Sequence, residues 1–422
     1  MRDRNLKIEK KDFLWNTVGT FLYSATSLFL NFFVINILGG EIGGLFSFGY
    51  STLAYVVYII SYFGIRSYHS IDVKNKYSFF DYLGVRLITT FISIIFGITY
   101  IYVMYFRHIY SFDKSIFLLI IIFSGVFEGF FDVYEGEFQR RGELYKAGIG
   151  LFFRTLIFIL VFIILICITK NIIISSIFSV LSKLISGIFF EVCILKNYDK
   201  FSFDFKKIKI MIIELLPFFL ITLLDGFIHS VSKFSIDLYL NDSVSGIFNL
   251  LFIPSNIIYM LCMFVMRPLV TPISNMYSSD LINYNNVSKK ILKYSIIIAG
   301  IVVLLSLFFG KLYLYIIDIL TNNTYNMSNS NEIFITFLLV MIAGIFYTIN
   351  TPIYFMLIIE EKKEYLLTIY IVVFFVSIIV SNVFVKIYGL VGASISFLII
   401  MFLLNFLIMG GKFFRGKINY GK

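Results

Sequence analysis

The sequence predicts an all-α protein that crosses a membrane many times. Apolar residues make up 59% of the 422 residues, charged residues make up 14%, and the mean hydropathy is +0.91. These values lie outside the range of soluble domains. Apolar runs of roughly 20 residues recur along the chain, and each can cross a hydrocarbon core of about 30 Å. A polytopic α-helical membrane protein follows from these observations.

Twelve spans are predicted, joined by short connections in which no soluble domain fits. The first apolar run begins at Phe13 and is too long for the apolar part of a signal peptide, so we expect it to remain as a span. The twelve predicted spans cover residues 13–38, 45–66, 83–105, 115–138, 148–168, 172–195, 210–240, 246–277, 291–317, 332–359, 365–387 and 389–411.

The distribution of Lys and Arg predicts the orientation. Of the 35 Lys and Arg residues, 25 lie in the termini and the even-numbered loops, and 4 lie in the odd-numbered loops. Because positive residues concentrate on the cytoplasmic side, both termini are expected in the cytoplasm. The net charge of +10 is therefore explained by topology, and no nucleic-acid partner is expected.

A short internal repeat predicts two halves. Leu38–Phe46 (LGGEIGGLF) and Leu240–Phe248 (LNDSVSGIF) share the pattern L-x-x-x-[IV]-x-G-[LI]-F, and each follows the first span of a half. The shared glycine, Gly44 or Gly246, suits a tight turn into the next helix. We expect two six-helix bundles, 1–200 and 201–422, related as a parallel 6+6 pseudo-repeat.

The seventh predicted span carries a polar stripe: Asp225, His229, Lys233 and Asp237, at strict four-residue spacing. Such positions share one face of a helix. Two interpretations remain open. In the first, the stripe residues pair with each other along the helix, Asp225 with His229 and Lys233 with Asp237, in what is called the ladder here. In the second, the stripe lines a water-filled substrate path. Either would keep these charges away from lipid.

The first half also carries charges within its spans. Glu128 and Lys183 lie at similar depth and can pair, and Asp132 and Arg154 form a second possible pair. Glu128, Asp132 and Glu135 share a helix face at i, i+4 and i+7. In one interpretation these groups neutralise one another; in the other they face the substrate.

Two arginines occupy corresponding positions of the halves. The repeat places Arg267 against Ile65, next to Arg66. A guanidinium offers a planar donor fork that suits phosphate. In the alternative interpretation, the side chains of Arg66 and Arg267 extend to the inner membrane–water interface. We expect the Arg86 side chain to do so.

Other features bear on mechanism. All five prolines lie in spans of the second half, and Pro217, just before the stripe, is the candidate hinge. No metal site or disulfide framework is expected, because Cys167, Cys193 and Cys262 lie in apolar segments. No catalytic motif is found either, so the sequence predicts a transporter and not an enzyme.

Two stretches of the sequence resemble a known family of membrane proteins. LGGEIGGLFSFGYSTLAYVVYIISYFGIRSY at Leu38–Tyr68 resembles the first hairpin of Wzx-type polysaccharide flippases, of the multidrug/oligosaccharidyl-lipid/polysaccharide exporter superfamily. The second half from Leu216 to Tyr239, Gly246-Ile-Phe and Arg267-Pro268-Leu269 resembles the corresponding region. The resemblance implies a V-shaped exporter fold with a central cavity, working by alternating access. It implies an undecaprenyl-diphosphate-linked oligosaccharide as substrate, moved to the outer leaflet of the bacterial cytoplasmic membrane for O-antigen or capsule assembly.

Residue roles follow from this interpretation as expectations. The substrate diphosphate and sugar would contact cavity cations, and ion coupling by H⁺ or Na⁺ would use intramembrane acids and a histidine. No other cofactor is expected; membrane lipids, a polysaccharide polymerase and a chain-length regulator are candidate partners. The candidate substrate-binding residues are Arg66, Arg154, Lys183, Lys233 and Arg267, and the candidate ion-coupling residues are Asp225, His229, Glu128 and Asp132.

Four other functions are considered. A lipid II flippase of the same superfamily would normally have two further spans. A multidrug or cation antiporter of the same superfamily would have an acidic, aromatic cavity. A membrane polysaccharide polymerase, an enzyme, would usually carry a large external loop with Arg, whereas the longest external loop here, Asp318–Asn331, is short and has no Lys or Arg. A sugar symporter of the major facilitator type would carry a G-x-x-x-D-[RK] loop, which is missing from His69–Phe80.

Overall fold

The chain folds into helices joined by short connections. The computed structural model describes residues 2–69, 76–195 and 204–416, and within these ranges it contains no strand. Two compact units form, Met1–Leu223 and Leu224–Lys422. The division falls inside one long helix. The boundary predicted at residue 200 lies in 196–203, outside the described residues.

The first unit is built from eight helices and the start of a ninth. Two short π-helical segments, Gly49–Leu53 and Ile188–Val192, interrupt it. Its helices are α1 (Arg2–Leu38), α2 (Gly40–Phe48), α3 (Ala54–Tyr62), α4 (Ile65–His69), α5 (Phe79–Phe106), α6 (Phe112–Arg140), α7 (Leu144–Thr169), α8 (Ile172–Gly187) and the first part of α9 (Phe205–Tyr239).

The second unit begins within α9. A 3₁₀ turn at Met327–Asn329 lies between its third and fourth complete helices. Its other helices are α10 (Asp242–Leu251), α11 (Ile253–Ser279), α12 (Leu281–Leu320), α13 (Asn331–Ile359) and α14 (Lys363–Gly416).

All twelve predicted spans fall on helical structure. Within the described ranges, ten helices are long and apolar enough to cross a membrane. Helix α14 contains Gly389 at φ 56° and ψ −129°, a break in helical geometry, so its two parts match the eleventh and twelfth predicted spans. Helices α10 and α11 together match the eighth. The chain is a multi-pass membrane protein.

Side-chain caps determine where several helices begin. Ser78 and Asp81 form a capping box at the start of α5, with Asp81 Oδ2 2.9 Å from the Ser78 amide. Asn171, Asn241 and Ser330 accept backbone N–H groups at the starts of α8, α10 and α13. Each cap satisfies donors that have no partner within the helix.

The turns of the internal repeat differ from the prediction. Gly44 and Gly246 lie inside α2 and α10, so the expectation that this glycine forms the turn is wrong. The first turn uses Gly39, whose φ of 88° suits glycine. The second uses Asn241, whose side chain accepts the amide of Val244.

Small residues allow close packing of α1 against α7. A Cβ atom added to Gly148 would clash with the carbonyl carbon of Trp15, and one added to Gly19 would lie 2.6 Å from the carbonyl oxygen of Gly148. Small residues at such crossings let membrane helices approach closely. This contact fixes α7, which carries a key arginine of the site.

Candidate functional site

Three carboxylates project from one face of α6, as their spacing predicts. Glu128, Asp132 and Glu135 are all buried. Carboxylates so close together require cations, because burial of an unpaired charge is costly. Helices α4, α5, α7 and α8 provide them.

Arg154 on α7 binds three carboxylates at once. Its Nη2 atom lies 2.7 Å from Glu128 Oε1 and 3.1 Å from Glu135 Oε1, and its Nη1 donates to Glu191. The guanidinium is 0% exposed. Glu191 reaches Arg154 from the π-helical segment Ile188–Val192 that follows α8.

Lys183 on α8 pairs with Glu128, which confirms the pairing predicted from their similar depth. Its Nζ atom lies 2.7 Å from Glu128 Oε2 and donates to the carbonyl and hydroxyl of Ser124, each at 3.1 Å.

Asp132 has different partners from those predicted. The predicted pair Asp132–Arg154 is wrong, since Arg154 contacts Glu128, Glu135 and Glu191. Asp132 instead lies 3.1 Å from Arg66 Nη1 and 2.7 Å from Arg86 Nη2. Similar depth alone did not specify which side of α6 each arginine approaches.

Arg66 and Arg86 differ in exposure. Arg66 lies at the start of α4, is 24% exposed, and also contacts Glu135 at 2.6 Å. Arg86 is fully buried and donates to the carbonyl of Ser61 as well as to Asp132. The expectation that Arg86 reaches back to the interface is therefore wrong, because Asp132 gives it a partner inside the unit.

These groups form one charge cluster with balanced formal charge: the cations Arg66, Arg86, Arg154 and Lys183 and the carboxylates Glu128, Asp132, Glu135 and Glu191. Of the two interpretations left open by the sequence, mutual neutralisation is the arrangement found. Sequence reasoning missed Glu191, although an acid inside an apolar span is itself a signal.

A second ionic group lies at the end of α4 and α6. His69 is fully buried, stacks on Tyr82 with ring centroids 3.9 Å apart, and its Nε2 lies 2.9 Å from Glu137. Arg140 and Arg141 share the same carboxylate, at 2.7 Å and 2.6 Å. Burial lowers the pKa of the His69 imidazole, and the hydrogen bond to Glu137 opposes this only in part.

In the second unit, the polar stripe of α9 does not form the predicted ladder. Asp225 lies beside the Tyr370 hydroxyl of α14, and His229 lies beside Asn256 of α11. Partners on neighbouring helices thus replace the partners one turn away. The ladder interpretation is wrong for these two residues.

Aromatic rings surround His229. It stacks on Tyr347 with centroids 4.6 Å apart, and Phe397 and Phe252 meet it edge-on at 5.4 Å and 5.8 Å. Tyr347 in turn stacks on Tyr259 at 4.4 Å. His229 Nδ1 has no hydrogen-bond partner among the described residues.

Lys233 lies one turn further along α9. It is 6% exposed, and its Nζ lies 4.6 Å from the ring centroid of Phe252. Within the described part of the chain, no carboxylate lies within salt-bridge distance of this ammonium, so the predicted pair with Asp237 is also absent. Lys233 therefore contrasts with the buried cations of the first unit.

Hydroxyl and amide groups hold α9 to α14. The Ser232 hydroxyl lies 3.2 Å from that of Ser381 and 3.0 Å from that of Ser396, and Ser235 donates to Asn382 at 2.9 Å. These buried contacts fix the rotation of α9 and hence the direction of its stripe.

Two other candidates have limited structural description. Arg267 lies in α11, but its side chain falls outside the described part of the chain. Pro217 lies inside α9, which continues as a helix on both sides of it. Among the described residues, no group of three His, Cys, Asp or Glu is arranged to hold a metal ion.

Comparison with known proteins supports the fold class. No family model and no curated protein matches the sequence. Solved structures do match in fold. An inward-facing multidrug resistance MATE transporter of the MOP superfamily shares 14% identity with a TM-score of 0.64, covering 95% of this chain and 96% of its own.

Two further structures extend the comparison. The lipid II flippase MurJ, in an inward closed conformation, shares 14% identity with a TM-score of 0.67 over 94% of this chain and 87% of its own. A MOP superfamily transporter from Pyrococcus furiosus shares 15% identity with a TM-score of 0.55 over 97% and 95%. The chain therefore has the all-α exporter fold of MOP-superfamily transporters, and the predicted fold class is confirmed.

Proposed function

We propose that this protein is a flippase that moves an undecaprenyl-diphosphate-linked oligosaccharide from the cytoplasmic to the outer leaflet of a bacterial cytoplasmic membrane. It works by alternating access, with both termini in the cytoplasm. The product serves surface polysaccharide assembly, with a polymerase and a chain-length regulator as later partners. The fold it shares with MurJ, named as a lipid II flippase, supports a lipid-linked substrate.

One observation carries the proposal: Lys233 is a buried cation with no carboxylate partner in the described ranges. A buried ammonium of this kind is costly unless an anion joins it. The diphosphate of a lipid-linked sugar is such an anion, whereas a cationic drug is not. Lys233 therefore favours an anionic substrate.

Arg66 and Arg267 are the other phosphate-binding candidates from the sequence, and each keeps that role in this proposal. Arg66 is the partly exposed member of the charge cluster, and its Nε lies 3.4 Å from Gln139 Oε1. Arg66 also contacts Asp132 and Glu135, but its side chain is 24% exposed. The other cluster cations, Arg86, Arg154 and Lys183, are buried against their carboxylates. We assign them to holding the first unit together and not to direct phosphate contact.

Ion coupling is assigned to the polar stripe. Asp225 and His229 lie beside the uncharged side chains of Tyr370 and Asn256, so a proton or Na⁺ would meet no competing salt bridge there. Glu128 and Asp132, also candidates from the sequence, already have cationic partners. Asp225 is therefore the preferred coupling group.

A multidrug or cation antiporter is the second candidate. The same fold occurs in MATE transporters, and the aromatic groups around His229 suit a flat apolar ligand. The first-unit carboxylates that would attract a cation, however, are paired in the charge cluster, and among the stripe residues near those rings only Asp225 could take that role.

A genetic experiment tests the proposed function. In a deletion strain we expect the lipid-linked oligosaccharide to accumulate on the inner leaflet, and the wild-type gene to restore its appearance outside. Arg66→Ala, Arg267→Ala and Lys233→Gln should each reduce this recovery at normal protein levels, while Lys311→Gln on α12 serves as the control. Full recovery with all three variants would reject the phosphate-binding role. Drug resistance without any glycan effect would favour the antiporter.

A further inference from the structure

Lys233 differs from the other buried cations in what surrounds it. Arg86, Arg154 and Lys183 each contact at least one carboxylate at hydrogen-bond distance. Lys233 is almost as buried, but its described contact is the face of Phe252. A ring face attracts a cation less strongly than a carboxylate does.

The titratable groups around Lys233 do not supply the missing charge. His229 lies one turn before it, beside the uncharged side chain of Asn256. Asp237 lies one turn after it, buried, and not within salt-bridge distance of the ammonium among the described contacts. The helices packed around this part of α9 contribute the titratable side chains Tyr259, Tyr347 and Tyr370. Asp225 lies two turns before Lys233 on α9 itself, beside the Tyr370 hydroxyl.

Two charge states are therefore open to the Lys233 side chain. An ammonium in an apolar setting without an anion is strongly disfavoured, whereas the neutral amine carries little desolvation cost. An anion placed beside the nitrogen reverses this preference. Lysine can make this change, but arginine cannot, because a guanidinium keeps its proton.

We propose that Lys233 takes up a proton from water when the substrate's anionic group binds beside it, and releases that proton when the anion leaves. The inference rests on the proposed function, in which the anion is a diphosphate diester. The reaction is the addition of one proton to the amine nitrogen to give an ammonium, and no other bond changes. The substrate is then carried together with a proton, which offsets one of its negative charges.

Calorimetry measures this proton directly. Purified full-length protein in detergent is titrated with farnesyl-diphosphate-linked N-acetylglucosamine, a diester whose diphosphate has no titrating proton near neutrality. Titrations in buffers of different ionisation enthalpy give the number of protons taken up per molecule bound. We expect up to about one proton for the wild type and about none for Lys233→Arg, because arginine is already charged.

Two further variants complete the set. Lys233→Gln should weaken binding about 10- to 100-fold, the loss of one charged hydrogen bond. Lys311→Arg is the matched control: Lys311 also lies over a ring, that of Phe334 at 5.6 Å, but is exposed. Its affinity and proton uptake should equal those of the wild type.

The outcomes distinguish proton uptake by Lys233 from the proposed flippase function. Equal proton uptake in the wild type and Lys233→Arg would overturn the inference and leave the proposed function standing. No binding of the probe to the wild type would overturn both. Equal affinity and uptake with phosphatidylglycerol in place of the probe would show that a phospholipid headgroup is the ligand, and would overturn the assignment to the substrate.

A second measurement does not depend on folding of the arginine variant. It uses His229→Gln, in which the neighbouring imidazole can no longer titrate. The affinity of this variant for the same probe should weaken as pH rises, by up to about tenfold per pH unit if one proton enters with the ligand. An affinity that stays constant from acidic to basic pH would overturn the inference.

Discussion

The Nζ atom of Lys183 on α8 lies 2.7 Å from the Oε2 atom of Glu128 on α6, and both side chains are buried. Glu128 also receives a hydrogen bond from Arg154, so one carboxylate holds cations from two helices. Glu128 therefore joins α6, α7 and α8. An apolar side chain in its place would leave the charges of Arg154 and Lys183 without this partner.

Lys183→Met should destabilise the protein by about 3–5 kcal/mol, the cost of removing one partner of a buried ion pair. The measurement is the unfolding midpoint in detergent, with the exposed Lys311→Met as control. The double variant Lys183→Met/Glu128→Gln should recover part of the loss, since the unpaired carboxylate is gone. A double variant less stable than the single one would contradict this explanation.

Gly148→Ala should destabilise the contact between α1 and α7 by about 1–3 kcal/mol, because the added methyl group meets backbone atoms that cannot rotate away. The matched control is Gly300→Ala in α12, where a Cβ has no neighbour within 4 Å. Unfolding midpoints of the two variants give the comparison. Equal midpoints would show that the helices can separate without cost.

His69 makes stability depend on pH. Its pKa is lowered by burial, so the unfolded chain binds more protons than the folded one, and stability should fall as pH drops through the usual histidine value of about 6.5. His69→Gln should flatten the dependence of the unfolding midpoint between pH 5 and about 7.5. His108→Gln, at an exposed position, should leave the pH dependence unchanged. A flatter dependence in the His108 variant and not in the His69 variant would show that His69 is not its cause.

Asp225→Asn should abolish the response of transport to an ion gradient, because the amide cannot take up a proton or bind Na⁺ as a carboxylate does. Flipping of a fluorescent diphosphate-linked lipid in proteoliposomes, with and without an imposed gradient, gives the measurement. Asp113→Asn near the start of α6 is the control. Wild-type stimulation in the Asp225 variant would exclude this residue as the coupling group.

Pro217→Ala should slow transport roughly tenfold, which corresponds to about 1.4 kcal/mol in the barrier, because the new backbone N–H can close a helical hydrogen bond and stiffen α9. Folded protein levels should not fall. Pro352→Ala, inside α13, gives the comparison and should change the rate by less than about twofold. Equal rates for all three proteins would remove Pro217 as a hinge.

Hydropathy predicted the helices of this chain because each span is defined by its own composition. The pairing of Lys183 with Glu128 was also predictable, since the rise per residue places both at one depth. Depth did not predict the partners of Arg154, because it gives height along a helix and not rotation about it. Arg154 faces Glu128 and Glu135, and Asp132 faces the arginines of α4 and α5.

The polar stripe shows a second limit. Four-residue spacing correctly placed Asp225, His229 and Lys233 along one helix, but it gave no information on neighbouring helices. Tyr370 and Asn256 are the partners that the structure brings to it. Residues far apart in sequence compete with those one turn away, and only their packing decides the outcome.

The π-helical segment Ile188–Val192 places Glu191 against Arg154. A π turn holds one more residue than an α turn, and one residue corresponds to about 100° of rotation. Deleting a single residue from this segment would therefore swing the acid away from its arginine without altering either side chain. The pairing of Arg154 therefore depends on the number of residues in the segment Ile188–Val192 as well as on the identity of Glu191.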